Sequence, residues 1–187
     1  MKRLFDFILA LLLLAPGLVL CIICMVAIRL DTKGNPLFVQ VRVGRNQAPF
    51  RLVKLRTMFQ ETGDHASHLV SSAQVTSVGG FLRRFKLDEL PQLVNVIMGD
   101  MSFVGPRPCL PNQDELIRER EALGVFSVRP GITGPAQVAG IDMSTPKLLA
   151  KVDRQYIDEQ SFAGDLKLIV QTGLGKGTGD ANQASGG

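Results

Sequence analysis

Two adjacent carboxylates, Asp88 and Glu89, lie in the stretch RRFKLDELPQLVNVIMGDMSFVGPRP, with Arg83, Arg84 and Lys86 just before them. Further along the same stretch Arg107 stands between Pro106 and Pro108. The two prolines restrict the backbone on both sides of it, and a guanidinium held this way suits a pair of phosphate oxygens. An acid pair set among cations supports chemistry at an anionic phosphorus if the acids divide the work, one as nucleophile and the other as metal ligand. A plainer role is open to the same residues: Asp88 could cap a helix running towards Met98, with Glu89 in its first turn. The chain has no P-loop, no G-x-G-x-x-G and no G-x-S-x-G, so any nucleotide must be held by side chains.

The other chemistry-bearing residues point elsewhere. His65 and His68 are three apart in a polar stretch without a cysteine beside them, which reads as surface rather than metal site. Cys21 and Cys24 fall inside an apolar run and Cys109 in a proline-rich turn. Thiols in apolar surroundings are inert, and no second ligand pair exists for zinc. A reducing, cytoplasmic setting fits.

The charge is unevenly spread. Over the 187 residues the net charge is +4, but from Arg29 to Arg56 seven basic residues face only Asp31, while residues 114–165 carry nine acids and six bases. The basic half is suited to phosphates or lipid head groups. Six percent aromatics and no tryptophan argue against a stacking surface for single-stranded nucleic acid.

These residues must be positioned by a chain of one domain's length, 45% hydrophobic and 20% charged, which excludes wholesale disorder. Phe7–Ile28 is 22 residues without a charge, broken only by Pro16-Gly17, and is long enough to reach across a bilayer core of about 30 Å. It could be a cleaved leader, a spanning helix or a re-entrant one. No small-residue cleavage site follows it. Lys2 and Arg3 precede it and Arg29 and Lys33 follow it, so the positive-inside rule prefers neither spanning direction. A helix broken at Pro16 could enter and leave on one side.

Beyond it, Leu37–Val43 and Phe50–Leu55 read as strands around a turn at Gly44–Pro49. Thr57–Ser77 is polar, a helix or loop. Phe81–Phe85 opens a helical segment. Leu87–Met98 reads as a helix with Leu90, Leu93, Val94 and Ile97 on one face. Pro111–Leu123 is a charged helix. Thr145-Pro146 starts another, with Leu148, Leu149, Val152 and Tyr156 on one face, and Phe162–Leu174 is amphipathic. Gly173–Gly187 holds six glycines and reads as disordered.

LDELPQLVNVIMGDMSFVGPRP resembles the signature of the bacterial sugar transferases that act on polyprenyl phosphate, the monotopic phosphoglycosyl transferases. KRLFDFILALLLLAPGLVL, FVQVRVGRNQAPFRLVKLRTM, VTSVGGFLRR and VRPGITGPAQVAG resemble that family too, so the likeness runs from Lys2 to about Val170. The short length is similar to its minimal members. The resemblance implies an α/β, predominantly helical fold: a re-entrant helix-break-helix membrane segment (1–30), a small cytosolic catalytic domain with a β-hairpin and amphipathic interfacial helices (31–172), and the tail (173–187). It implies transfer of a sugar-1-phosphate from a UDP-sugar to polyprenyl (undecaprenyl) phosphate through an aspartyl-phosphosugar intermediate, with release of UMP. This would take place at the cytoplasmic face of the bacterial inner membrane, as the first membrane step of glycoconjugate synthesis.

Residue by residue, Asp88 matches the nucleophile and Glu89 its partner, associated with magnesium. Lys54, Arg83 and Arg107 match phosphate-holding cations. Arg129 and Gln137 match motifs at the nucleotide or active-site edge, and Pro16 matches the helix breaker. Ala15 stands where the family often has serine, which removes a hydroxyl that could satisfy freed carbonyls, and VTSVGGFLRR lacks an acid often found just before it. A non-catalytic, membrane-anchored protein that binds anionic lipids through its basic half is the alternative. The sugar, the pathway and the oligomeric state are not written in the sequence.

Overall fold

The computed structural model describes residues 2–59 and 74–177. The histidine pair and residues 178–187 of the C-terminal segment lie outside the described residues. The chain begins with α1 (Lys2–Asp31), which runs through Pro16 as one uninterrupted helix. The expected division into two halves is therefore not seen. Proline costs a helix about 3 kcal/mol, and an apolar run with packing along its length can carry that cost. Small residues let the helix lie close to the rest of the chain. Ala10, Gly17, Cys21, Cys24 and Ile28 form its buried stripe, and a Cβ at Gly17 would stand 3.2 Å from Leu93 Cδ1. The opposite face is apolar and open, with Leu12 69% exposed.

Both ends of α1 are tied to the same globular body. At the start, Lys2 pairs with Asp165 at 2.6 Å, and Arg3 donates to the carbonyls of Val96 and Ile97. Buried Asp6 accepts from Ser102 Oγ at 2.9 Å and from the Phe103 amide at 3.3 Å. At the far end, Arg56 donates to the Lys33 carbonyl at 2.6 Å and to Thr32 Oγ1 at 2.8 Å, and Asp31 accepts from the Val78 amide.

The expected hairpin is present. β1 (Leu37–Val43) pairs antiparallel with β2 (Pro49–Leu55) in the register Leu37↔Leu55 to Val43↔Pro49. Its turn places Asn46 and Gln47 at positive φ. The free edge of β2 is completed by a side chain: fully buried Asn95 accepts from the Val53 amide at 3.2 Å and donates to the Arg51 carbonyl at 2.8 Å.

α2 (Ser77–Arg84) is capped by Thr76. The single helix expected over 87–98 is instead a 3-10 turn, Leu87–Glu89, followed by α3 (Gln92–Met98). Pro91 sits at the joint, where a proline has no amide to continue the ladder. This shift rotates the buried face to Leu93, Asn95 and Val96 and leaves Val94 43% exposed. An unexpected two-stranded parallel sheet follows, β3 (Ser102–Val104) with β4 (Gly131–Thr133); three-residue strands carry too little alternation to be read. α4 (Asp114–Ala122) lies between them, and α5 (Pro135–Val138), α6 (Pro146–Glu159) and α7 (Phe162–Gly173) complete the chain. In α6, Leu149, Ala150, Asp153 and Tyr156 are buried, whereas Leu148 is exposed. Thr145 makes no side-chain cap there. The core centres on Leu93, Val96, Phe50, Leu52 and Phe103 against Ala10 of α1.

Candidate active site

The 3-10 turn that carries the acid pair is set by its neighbours. Gly79 lets α2 press against the end of the hairpin, since a Cβ there would fall 2.1 Å from the Thr57 carbonyl oxygen. That contact brings buried Arg83 onto Thr57, to whose Oγ1 its Nε donates at 2.8 Å. Lys86, at φ 55, then turns the chain left-handed into Leu87–Glu89. Asp88 is 8% exposed. It does not cap α3, whose N-cap is Pro91.

Glu89 faces Arg107, whose Nη1 lies 3.4 Å from Glu89 Oε1. Lys54 projects from β2, its Nζ 5.5 Å from the Phe38 ring centroid. Together with Arg42 and Gln92, these three side chains line a small polar hollow between the hairpin and β4. Three cations around one carboxylate make the hollow electropositive, and it is suited to an anion.

Arg107 is held from behind. Its carbonyl accepts from Arg120 Nη1 at 2.8 Å, and Arg120 is itself paired with Asp153 through Nε at 2.9 Å and Nη2 at 2.7 Å. Both members of that pair are almost fully buried. Burial pushes the Asp153 carboxyl up, and Arg120 pulls it back. Cys109, two residues beyond Arg107, is buried, and desolvation raises its thiol pKa, which matches an inert thiol.

Lys86 links the turn to its surroundings. Its ammonium donates to the Lys176 carbonyl at 2.9 Å. Burial lowers its pKa; Glu89 works against that fall, Arg107 adds to it, and Asp88 opposes it. The lysine is therefore within electrostatic reach of both acids and of the guanidinium.

The structure thus brings Glu89, Lys54 and Arg107 to one hollow, with Asp88 next to Glu89 on the same turn and Arg83 bonded to Thr57 on the helix just before it. Arg129 is placed elsewhere: its Nε donates to the Gly99 carbonyl at 2.7 Å, at the C-terminal end of α3, while the acid pair precedes the N-terminal end. Gln137, on α5, donates to the Ile132 carbonyl at 3.0 Å, and its buried Oε1 has no hydrogen-bond donor among the described residues. Pro16 lies within α1 and takes no part in the hollow. Residue reasoning missed Arg42, Lys86 and Arg120 as members of the site. Arg42 and Gln40 face inward on β1 while Val39 and Val41 are exposed, the reverse of what apolar alternation predicts, and Arg42 donates to the Pro108 carbonyl. Arg120 sits in a helix that reads as solvated and gives no signal of its burial.

Among the described residues no three acids, histidines or cysteines cluster as a cage for a metal. Magnesium needs no such cage, because it uses one or two carboxylates and completes its shell with water and substrate phosphates. The carboxylates of Asp88 and Glu89, on one turn beside a hollow lined by Lys54, Arg42 and Arg107, fit that donor set.

The family model described as "Bacterial sugar transferase" matches residues 1–176. An "Uncharacterized sugar transferase EpsL" of Bacillus subtilis is 38% identical over 172 residues, covering 92% of this chain and 85% of the relative. The UDP-glucose:undecaprenyl-phosphate glucose-1-phosphate transferase of Caulobacter vibrioides is 40% identical over 182 residues, 91% of this chain and 67% of the relative. The UDP-N-acetylgalactosamine-undecaprenyl-phosphate N-acetylgalactosaminephosphotransferase of Aeromonas hydrophila is 34% identical over 157 residues, 79% of this chain and 36% of the relative. With a family match over nearly its whole length and relatives of about 40% identity that share most of it, this chain is a transferase and belongs to the bacterial sugar transferase family.

Proposed function

We propose that the protein transfers a sugar-1-phosphate from a UDP-sugar to polyprenyl phosphate, with Asp88 as nucleophile. The observation that carries this reading is the placement of buried Asp88 and of Glu89 on one turn, with Glu89 paired to Arg107 in a hollow also lined by Lys54. Asp88 attacks the phosphorus that bears the sugar, and the bond from that phosphorus to the bridging oxygen of UMP breaks. UMP leaves with the bond's electrons. An oxygen of the lipid phosphate then attacks the same phosphorus, the aspartyl ester bond breaks, and the carboxylate is restored.

Charge balances in both steps without a proton: an aspartate anion is consumed in the first and returned in the second. Glu89 is thus not needed as a base. It is suited to hold the magnesium whose charge, when bound, offsets negative charge on the phosphates. Lys54, Arg83 and Arg107 offset the charge developing on the phosphoryl oxygens. The relatives' names support the reaction class, and their different sugars leave the sugar of this chain to be found by assay.

α1 supports a monotopic arrangement at the cytoplasmic face of the inner membrane. It is long and apolar enough to cross a bilayer, yet its two ends are bonded to one body. An unbroken helix held this way by both ends lies along one side of the bilayer and exposes its outer apolar face to lipid. The exposed apolar side chains of α7 lie at an interface in the same reading.

The test is intact-protein mass after incubation with a UDP-sugar and magnesium, without acceptor, together with UMP release. Wild-type protein gains one sugar-phosphate and Asp88→Asn gains none. Glu89→Gln keeps the nucleophile but forms the adduct slowly. A lipid-binding protein without catalysis would release no UMP, and an adduct that persists in Asp88→Asn would move the nucleophile elsewhere.

A further inference from the structure

Beside the turn, α2 and the end of α7 enclose a cleft of about 650 Å³, whose lining shares no residue with the hollow. Its wall on α2 and the following turn carries Arg83, Arg84 and Lys86; its other wall is Thr172–Gly175 and Gly177. No carboxylate is among the described residues that line it. Its rim is apolar and open: Phe85 is 56% exposed and Leu174 is 80% exposed. Leu174 ends a stripe of exposed side chains, Phe162, Leu166, Val170 and Leu174, spaced four residues apart on one face of α7. Arg84 lies over the Phe85 ring at 5.8 Å, so charge and apolar surface meet at the mouth itself.

A site with cations inside and an apolar lip that continues along a helix face matches an amphiphile with an anionic head. A nucleotide has no apolar tail to lay on such a lip. Lys86 connects this cleft to the acid pair, because it lines the cleft and feels both Asp88 and Glu89. An ammonium has three donors, and the bond to the Lys176 carbonyl uses one of them.

We propose that this cleft is the acceptor site. It takes the phosphate of polyprenyl phosphate between Arg84 and Lys86, with the first prenyl units along Phe85 and Leu174. The proposal rests on the transferase reading above. It divides the site into the hollow of Lys54, Glu89 and Arg107 for the phosphoryl group in transit, and a second, amphiphilic entrance reached through Arg83, Arg84 and Lys86 just before the nucleophile's turn. The lipid would then reach phosphorus without leaving the interface.

The experiment separates the two half-reactions on the full chain in lipid nanodiscs. Adduct formation from UDP-sugar is followed by intact mass. Discharge of the adduct is followed at increasing concentrations of a long-chain polyprenyl phosphate and of a short, water-soluble prenyl phosphate. Arg84→Gln, Phe85→Ser and Leu174→Ser change exposed side chains, and retention of wild-type adduct formation also reports that each variant is folded. Arg84→Gln should raise the acceptor concentration needed for half-maximal discharge by about tenfold or more, as loss of a charge-assisted hydrogen bond implies. Phe85→Ser and Leu174→Ser should weaken discharge by the long-chain acceptor and spare the short one.

Equal losses in both half-reactions would give the cleft to the nucleotide and overturn the proposal. Unchanged discharge in all three variants would leave the cleft without a role and overturn it as well. A wild-type protein that releases no UMP and carries no adduct would overturn the transferase reading itself, and the acceptor site with it.

Discussion

Lys86 is a site residue whose charge state its surroundings control. Burial favours its neutral form, and Arg107 pushes the same way, while Glu89 and Asp88 pull back; the net shift is downward. The ammonium therefore loses its proton at a lower pH than an ordinary lysine. If its charge helps bind a polyanionic substrate, kcat/KM should fall on the alkaline side, starting below the usual lysine range. That profile reports the free enzyme, before a substrate anion can raise the pKa again. Lys86→Arg keeps the charge throughout the accessible range. Its alkaline limb should move up or vanish even where the absolute rate drops. An unchanged limb in Lys86→Arg would assign the titration to another group. At this scale the sequence was informative where residue type and spacing suffice: Asp88, Glu89 and Arg107 could be picked out from LDEL and GPRP. It was uninformative for Arg42 and Arg120, because a charged side chain in a basic strand or an acidic helix looks solvated until its neighbours are known.

Among the elements, α4 and α6 act on the site without touching the hollow. Arg120 of α4 and Asp153 of α6 form a buried pair, and the same guanidinium donates to the Arg107 carbonyl. Removing one partner strands a buried charge, at a cost of about 3–5 kcal/mol. Asp153→Leu should therefore lower the urea midpoint strongly. The double variant Arg120→Met with Asp153→Leu should recover much of that stability, because apolar replacements of buried pairs are well tolerated. Turnover should stay low in the double variant, since the Arg107 carbonyl has lost its donor. A double variant with both stability and full turnover would show that Arg107 is positioned by its prolines alone. The hairpin and the long helices were legible from periodicity. The β3–β4 sheet and the break at Pro91 were not, for opposite reasons: one is too short to show a pattern, and the other interrupts a pattern that runs on in the sequence.

For the whole molecule, the proposed topology raises the question of what would keep an apolar helix of 30 residues on one side of a bilayer. The sequence suggested a break at Pro16; the structure points instead to tethers at the two ends. Lys2, Arg3 and Asp6 are bonded to α7, α3 and β3, and the other end is clasped by Arg56. Pro16→Ala restores about 3 kcal/mol of helix propensity, yet it should leave both ends on the cytoplasmic side. Replacing Lys2, Arg3 and Asp6 together should release the N-terminal end. A cysteine placed ahead of Met1 and a second one at Lys33→Cys, labelled with a membrane-impermeant maleimide in oriented vesicles, would check this. Labelling from opposite faces in Pro16→Ala would show that the proline, and not the tethers, sets the topology.

The side chain of Asn95 stands in for a third strand at the edge of β2. A hairpin of two strands is at best marginal in water, so this one borrows its order from α3, and α3 follows directly from the turn that carries Asp88. The hairpin and the nucleophile are thus one cooperative unit in local opening, not two. Amide exchange at Val53, whose proton is held only by that side chain carbonyl, should therefore slow in parallel with the amides of α3 and quicken in Asn95→Ala along with them. If Val53 exchanges freely while α3 remains protected, the two open independently. If they open together, a single exchangeable proton on β2 reports how often the nucleophile's turn comes apart.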